Sequence, residues 1–130
     1  MASRLKVLIV EDDNAMAQMC AKLIQRRGHS AIIACSCLDA IAIVRDARDI
    51  DVVISDVQMP NMTGFQLLAS LHTIDENLPV ILMTGYAQLL SSNQAMALGA
   101  ADYIMKPFDA DAFVHSVERA TRSRPNLAHN

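Results

Sequence analysis

Apolar positions along the chain fall into two alternating rhythms. Leu5-Lys6-Val7-Leu8-Ile9-Val10 is apolar almost throughout, as a strand covered on both faces is. Asn14 to Arg27 then carries Met16, Met19, Cys20, Leu23 and Ile24 at helical spacing, and Gly28 stops it behind Arg26-Arg27. Ser30 to Cys35 reads as a second strand. Ser36 caps a helix through Leu38, Ile41, Ala42 and Val44 to about Ala47, with Asp39 in its first turn. Val52 to Ser55 is a short buried strand that delivers a carboxylate, Asp56, where it ends; Pro60 has no N–H to continue a ladder. Thr63 caps a helix through Phe65, Leu67, Leu68 and Leu71, and Asn77-Leu78-Pro79 breaks it. Val80 to Met83 is strand four, running into Thr84-Gly85. A weaker helix from about Ala87 to Leu98 stops at Gly99. Ala101 to Met105 is strand five, followed by Lys106-Pro107, and Asp109 caps a last helix through Phe113, Val114 and Val117 to about Thr121.

Strands that alternate with helices in this way predict an α/β domain: parallel strands, right-handed crossovers and helices on both sheet faces. The length, 130 residues, suits one core. At 52% hydrophobic and 4% aromatic, that core is built from Val, Ile, Leu, Ala and the eight Met. A net charge of −3 argues against a grip on nucleic acid by bulk electrostatics. No apolar run approaches the ~20 residues of a membrane span, and Met1 to Arg4 lead straight into a strand, so the expected location is the cytoplasm with no membrane partner. Cys20, Cys35 and Cys37 lack metal-site spacing, and Cys35-Ser36-Cys37 reads as a strand handing over to a helix. The histidines, His29, His72, His115 and His129, are expected at the surface or in loops.

Ligands of open α/β sheets bind outside the carboxyl ends of the strands. Those ends carry Glu11-Asp12-Asp13, Asp56, Thr84 and Lys106. Like charges at ~4 Å repel by on the order of 4 kcal/mol at an effective dielectric of 20. Lys106 offsets one charge, and a hard divalent cation, magnesium before zinc, suits an all-oxygen set for the rest. A carboxylate beside magnesium, a lysine and a hydroxyl has the parts for phosphoryl transfer through an acyl phosphate, with Asp56 the nucleophile and Thr84 and Lys106 stabilising phosphoryl oxygens.

Four stretches carry a resemblance: Val7 to Asp13, Ile54 to Gly64, Ile81 to Gly85 and Gly99 to Phe108. In this order and spacing the chain resembles the receiver domain of bacterial two-component response regulators, the chemotaxis regulators among them, from about Leu5 to Thr121. The resemblance implies a doubly wound (βα)5, flavodoxin-like fold with strand order 2-1-3-4-5, a receiver domain over residues 1–122, and a flexible tail or the start of a linker over residues 123–130. It implies that Asp56 accepts a phosphoryl group from a phosphohistidine on a sensor histidine kinase or histidine phosphotransfer protein. Magnesium, or manganese in its place, is then held by Asp12 directly, by Glu11 through water, by Asp56 and by the backbone carbonyl of Gln58. Thr84 and Lys106 hold the phosphoryl oxygens, and Thr84 and Tyr103 form the switch that alters the surface of helix four, strand five and helix five. Such a protein is not a conventional turnover enzyme, and is a monomer or a phosphorylation-dependent dimer.

Some readings stay open. Tyr103 fits a half-buried core tyrosine as well as a switch. Met16, Met19 and Met62 fit core packing or an adaptable partner surface. Gln58 and Tyr86, each two residues past a site residue, are expected to overhang the phosphate, with Tyr86 limiting in-line water. Leu89 and Leu90 stand where relatives often carry acids. The alternative function is a phosphorylation-independent interaction module; a haloacid-dehalogenase-like phosphatase is set aside because its second aspartate would fall at Gln58. The downstream target, and whether the chain acts alone or within a longer protein, are not legible.

Overall fold

The computed structural model describes residues 4–47, 49–85 and 92–122. In chain order the elements are β1 (Lys6–Val10), α1 (Asn14–Arg26), β2 (Ser30–Ala34), α2 (Cys37–Ala47), β3 (Val52–Asp56), α3 (Gly64–Ile74), β4 (Val80–Thr84), α4 (Ser92–Ala97), β5 (Asp102–Met105) and α5 (Ala110–Arg122). The strands form one parallel sheet in the order β2-β1-β3-β4-β5. β3 and β4 are buried at every residue, which is why their sequences run apolar without alternation.

Successive strand residues feed opposite faces. Val7, Ile9, Val52, Ile54, Ile81 and Met83 pack with α1 and α5 through Ile24, Phe113 and Val117. Leu8, Val10, Val53, Leu82 and Tyr103 pack with α2, α3 and α4 through Val44, Leu67, Leu71 and Ala95. The two faces are covered as the alternation of elements requires, and the crossovers bring every strand's carboxyl end to the same rim.

Local signals explain where helices begin. Asp13 accepts from the amides of Ala15 and Met16, and Asp109 from Ala112. Thr63 and Gln66 form a reciprocal capping box. Ser36 Oγ accepts from Asp39 N. Gly28, at φ +87°, turns the chain out of α1 in a conformation that costs other residues.

Several sequence expectations give way. Met19 is 43% exposed and Leu38 71% exposed, so neither belongs to the buried stripe of its helix. Small residues set those stripes instead: Ala17, Cys20, Ala21 and Ile24 in α1, and Cys37, Ala40 and Val44 in α2. Such residues draw a helix close to the sheet, and a long side chain about 100° away points to solvent. His29 is not a surface residue. It is buried, its Nδ1 accepts from Leu5 N at 3.0 Å, and its Nε2 lies 2.8 Å from Glu118 Oε2. His72 is half-buried with Nε2 3.0 Å from the Leu78 carbonyl, whereas His115 is exposed as expected. The start expected for α4 at Ala87, and with it Tyr86, Leu89 and Leu90, lies outside the described residues, as do His129 and the tail. No described helix is long and apolar enough to cross a membrane.

Candidate functional site

Asp56 closes β3 at the sheet's central crossover, where chain connections diverge to opposite faces. It is 8% exposed. Its Oδ2 lies 2.9 Å from Lys106 Nζ, and its Oδ1 accepts from Gln58 N at 3.1 Å. Lys106 follows β5 and is fixed by its own backbone, whose N–H donates to Thr84 O at 2.8 Å. Its ammonium also meets Glu11 Oε1 at 3.1 Å, so one cation bridges two carboxylates that are far apart in sequence. Glu11, at 1% exposure, turns its other oxygen to Asp13 N at 3.2 Å. Asp12 is exposed beside them, and one oxygen from each of Glu11, Asp12 and Asp56 falls within 4.8 Å of the others.

Burial is the strongest influence on Glu11 and pushes its pKa up, with the Asp56 charge adding to the rise and the Lys106 and Asp13 hydrogen bonds opposing it. Burial pushes Lys106 down, but its hydrogen bonds to Asp56 and Glu11 outweigh that, and its pKa is raised. Lys106 therefore stays charged, holding the two acids together. Burial, then the charge of Glu11, pushes the thiol of Cys20 up to about 11, which keeps it out of nucleophilic chemistry at neutral pH.

Three carboxyl groups share one ammonium in a small volume. The donors are all oxygen and one of the acids is open to solvent. That is a fit for a hard divalent cation that retains waters, and a poor fit for zinc.

Sequence reasoning placed Glu11, Asp12, Asp56 and Lys106 together, and the geometry brings them together. Thr84 is the last residue of β4, fully buried, one position past the register partner of Asp56. Gln58 is exposed at the rim. Tyr103 is more buried than expected, at 9% exposure among the side chains of the α2–α4 face, and its hydroxyl has no hydrogen-bond partner among the described residues. An unsatisfied buried hydroxyl costs about 1–3 kcal/mol. Tyr103→Phe is expected to raise the unfolding free energy by about 1 kcal/mol in urea denaturation; a loss of stability would show that the hydroxyl is satisfied.

Gly64, which the sequence placed only at the end of a matching stretch, belongs to the site. Gly64 opens α3 directly against β3: a Cβ there would lie 2.7 Å from Asp56 O and 2.9 Å from Val57 Cα. A glycine at the first position of a capped helix was the available signal.

A family model described as the response regulator receiver domain matches residues 7–118. The chain belongs to that family. The receiver domain is 42% identical over 115 residues to the response regulator protein FleR of Pseudomonas aeruginosa, covering 88% of this chain and 24% of that protein. It is 33% identical over 114 residues to sporulation initiation phosphotransferase F of Bacillus subtilis, covering 88% of this chain and 91% of that one. Among solved structures, a receiver domain protein from Clostridium thermocellum superimposes with a TM-score of 0.85 at 28% identity, over 91% of this chain and 94% of its own. FixJ-N does so at 0.83 and 30%, over 93% and 96%. The chain thus spans about a quarter of FleR, and nearly all of the shorter relative. Receiver domains are the signalling switches of two-component systems and bind magnesium at an acidic pocket. This chain carries an acidic cluster of Glu11, Asp12 and Asp56.

Proposed function

We propose that this receiver domain takes a phosphoryl group onto Asp56 from a phosphohistidine of a histidine kinase or phosphotransfer protein. The observation that carries the reading is Lys106 Nζ, set between Asp56 and Glu11 with Asp12 alongside. In the reaction a carboxylate oxygen of Asp56 forms the new O–P bond, the N–P bond breaks, and its electron pair stays on the imidazole. Lys106 then stabilises the phosphoryl oxygens, and the hydroxyl of Thr84 donates to one of them. Asp12, Asp56, Glu11 and the Gln58 carbonyl would hold a magnesium ion, which would supply charge neutralisation on those oxygens. Water later cleaves the acyl phosphate, returning Asp56 and inorganic phosphate.

In the switch, Thr84 moves toward the phosphoryl group and Tyr103 follows, changing the α4–β5–α5 surface. Gln58 at the rim regulates access of water to the phosphoryl group. The test is labelling by a small acyl phosphate with magnesium present or chelated. Magnesium-dependent, acid-stable, alkali-labile labelling is the expected outcome. Absence of labelling under both conditions would favour a phosphorylation-independent module.

A further inference from the structure

The two edges of the sheet are β2 and β5. Edge strands are usually blunted by charge or proline, because their outer N–H and C=O groups invite another strand. β5 is blunted: Asp102 opens it, and Lys106-Pro107 follows it. β2 reads Ser30-Ala31-Ile32-Ile33-Ala34, with no charged residue and no proline, and only Ala34 in it is fully buried.

The backbone of β2 divides by alternation. Ser30 N donates to Leu5 O at 2.8 Å, and Ala34 O accepts from Glu11 N at 3.1 Å. Ser30, Ile32 and Ala34 therefore turn their backbone groups to β1, and Ala31 and Ile33 turn theirs outward. Among the described residues nothing is hydrogen-bonded to that outer side.

This spacing selects the occupant. A second copy of β2, antiparallel about a two-fold axis at Ile32, sets Ala31 opposite the partner's Ile33 and Ile33 opposite the partner's Ala31. Each pair then exchanges both of its N–H···O=C bonds. A small side chain meets a branched one on the α1 face, where Ala31 and Ile33 pack, and Ile32 meets its own copy on the α2 face. Charge fits the same arrangement. The amino end of β2 carries Arg26, Arg27 and Arg4, whose Nε donates to Gly28 O at 3.0 Å; Glu118 nearby is taken up by Arg27 and His29. The carboxyl end carries Asp39 in the first turn of α2 and, through the bond from Glu11 N, the run Glu11-Asp12-Asp13. Antiparallel pairing sets each basic end against an acidic one. Pairing β2 with a β5 edge would leave further edges open and run on into a filament, whereas β2 on β2 closes.

We propose that β2 is a self-association edge: two copies of this chain join β2 to β2, antiparallel about Ile32, into one continuous sheet. The association does not depend on Asp56 or a phosphoryl group, and it uses the edge of the sheet opposite β5.

The test is sedimentation of the whole unphosphorylated chain from about 1 to 100 μM, a span that brackets a micromolar dissociation constant. A monomer–dimer equilibrium is expected. Ile32→Lys puts like charges directly opposite each other and is expected to weaken the dimer about tenfold or more. Ala31→Pro removes an outward N–H that β1 does not use, and is expected to do the same. Met105→Lys, at an exposed position on β5, is expected to leave the dimer within about twofold. Ile32→Cys, with the exposed Cys35 changed to serine, is expected to cross-link the dimer under a thiol oxidant such as diamide. The Cα atoms of a non-hydrogen-bonded antiparallel pair lie about 4.5 Å apart, within disulfide reach. Circular dichroism checks that each variant folds, and the cross-link carries the test if Ile32→Lys and Ala31→Pro do not. A chain that stays monomeric across the whole span overturns the proposal. So does a dimer that Met105→Lys dissolves while Ile32→Lys and Ala31→Pro leave it intact, or one that Ile32→Cys fails to cross-link.

Discussion

Asp56→Asn is expected to reduce phosphoryl labelling to background while the protein still melts cooperatively. Asparagine keeps the size of the side chain and one acceptor oxygen for Lys106 Nζ, now 2.9 Å from Asp56 Oδ2. What it removes is the anionic oxygen that would form the O–P bond. Magnesium affinity should fall as well, since one of the three acids clustered within 4.8 Å is lost. The check is gel-based labelling by a small acyl phosphate, with a metal titration followed by a nearby spectroscopic probe. Persistent labelling at wild-type rate would move the nucleophile elsewhere on the chain.

Lys106→Met is expected to destabilise the metal-free protein by about 2 kcal/mol at neutral pH. The ammonium meets Glu11 Oε1 at 3.1 Å as well as Asp56, and Glu11 is almost wholly buried. Its loss strands a buried carboxylate, whose penalty is limited by the opening of the site on the Asp12 side. The pH dependence follows from the shifts. Glu11 already has a raised pKa, mainly from burial, so its ionisation works against folding. Without Lys106 the rise is larger. The variant's deficit is therefore greatest at neutral pH and closes as acid protonates Glu11. In the wild type, the contribution of Lys106 has the opposite reach. Its own pKa is raised, so its contribution is complete below the ordinary lysine range and is lost only as pH climbs through the raised value. Urea melts of both proteins across the acid-to-neutral range decide it: a constant gap from acid to neutral pH would exclude Glu11 as the cause.

What was legible in the chain depended on how local the cause was. The strands announced themselves because a sheet covered on both faces must run apolar, and Thr63 and Asp109 announced helices because caps act within three residues. Even the long-range meeting of Glu11, Asp56 and Lys106 was foreseeable, since parallel strands bring all carboxyl ends to one rim. His29 was not foreseeable. Its burial depends on Leu5, 24 residues away, and on Glu118, 89 residues away, and nothing near it in sequence reports either. Met19 and Leu38 misled for a different reason. Hydrophobicity marked them as core, but Ala17, Cys20, Ala21, Cys37 and Ala40 decide how closely their helices approach the sheet. Tyr103 stayed ambiguous because an aromatic at that strand position is compatible with either direction of its hydroxyl.

The bare glycine at the head of α3 has a mechanical meaning. With no side chain to act as a spacer, residue 64 rests on the peptide that carries Asp56, and its amide donates to Val57 O at 2.9 Å. The third helix and the acid at the tip of the third strand are therefore expected to move together. A push on the outer surface of that helix would be felt at the carboxylate, and a load on the carboxylate would be felt at the helix, without passing through any hydroxyl or aromatic ring.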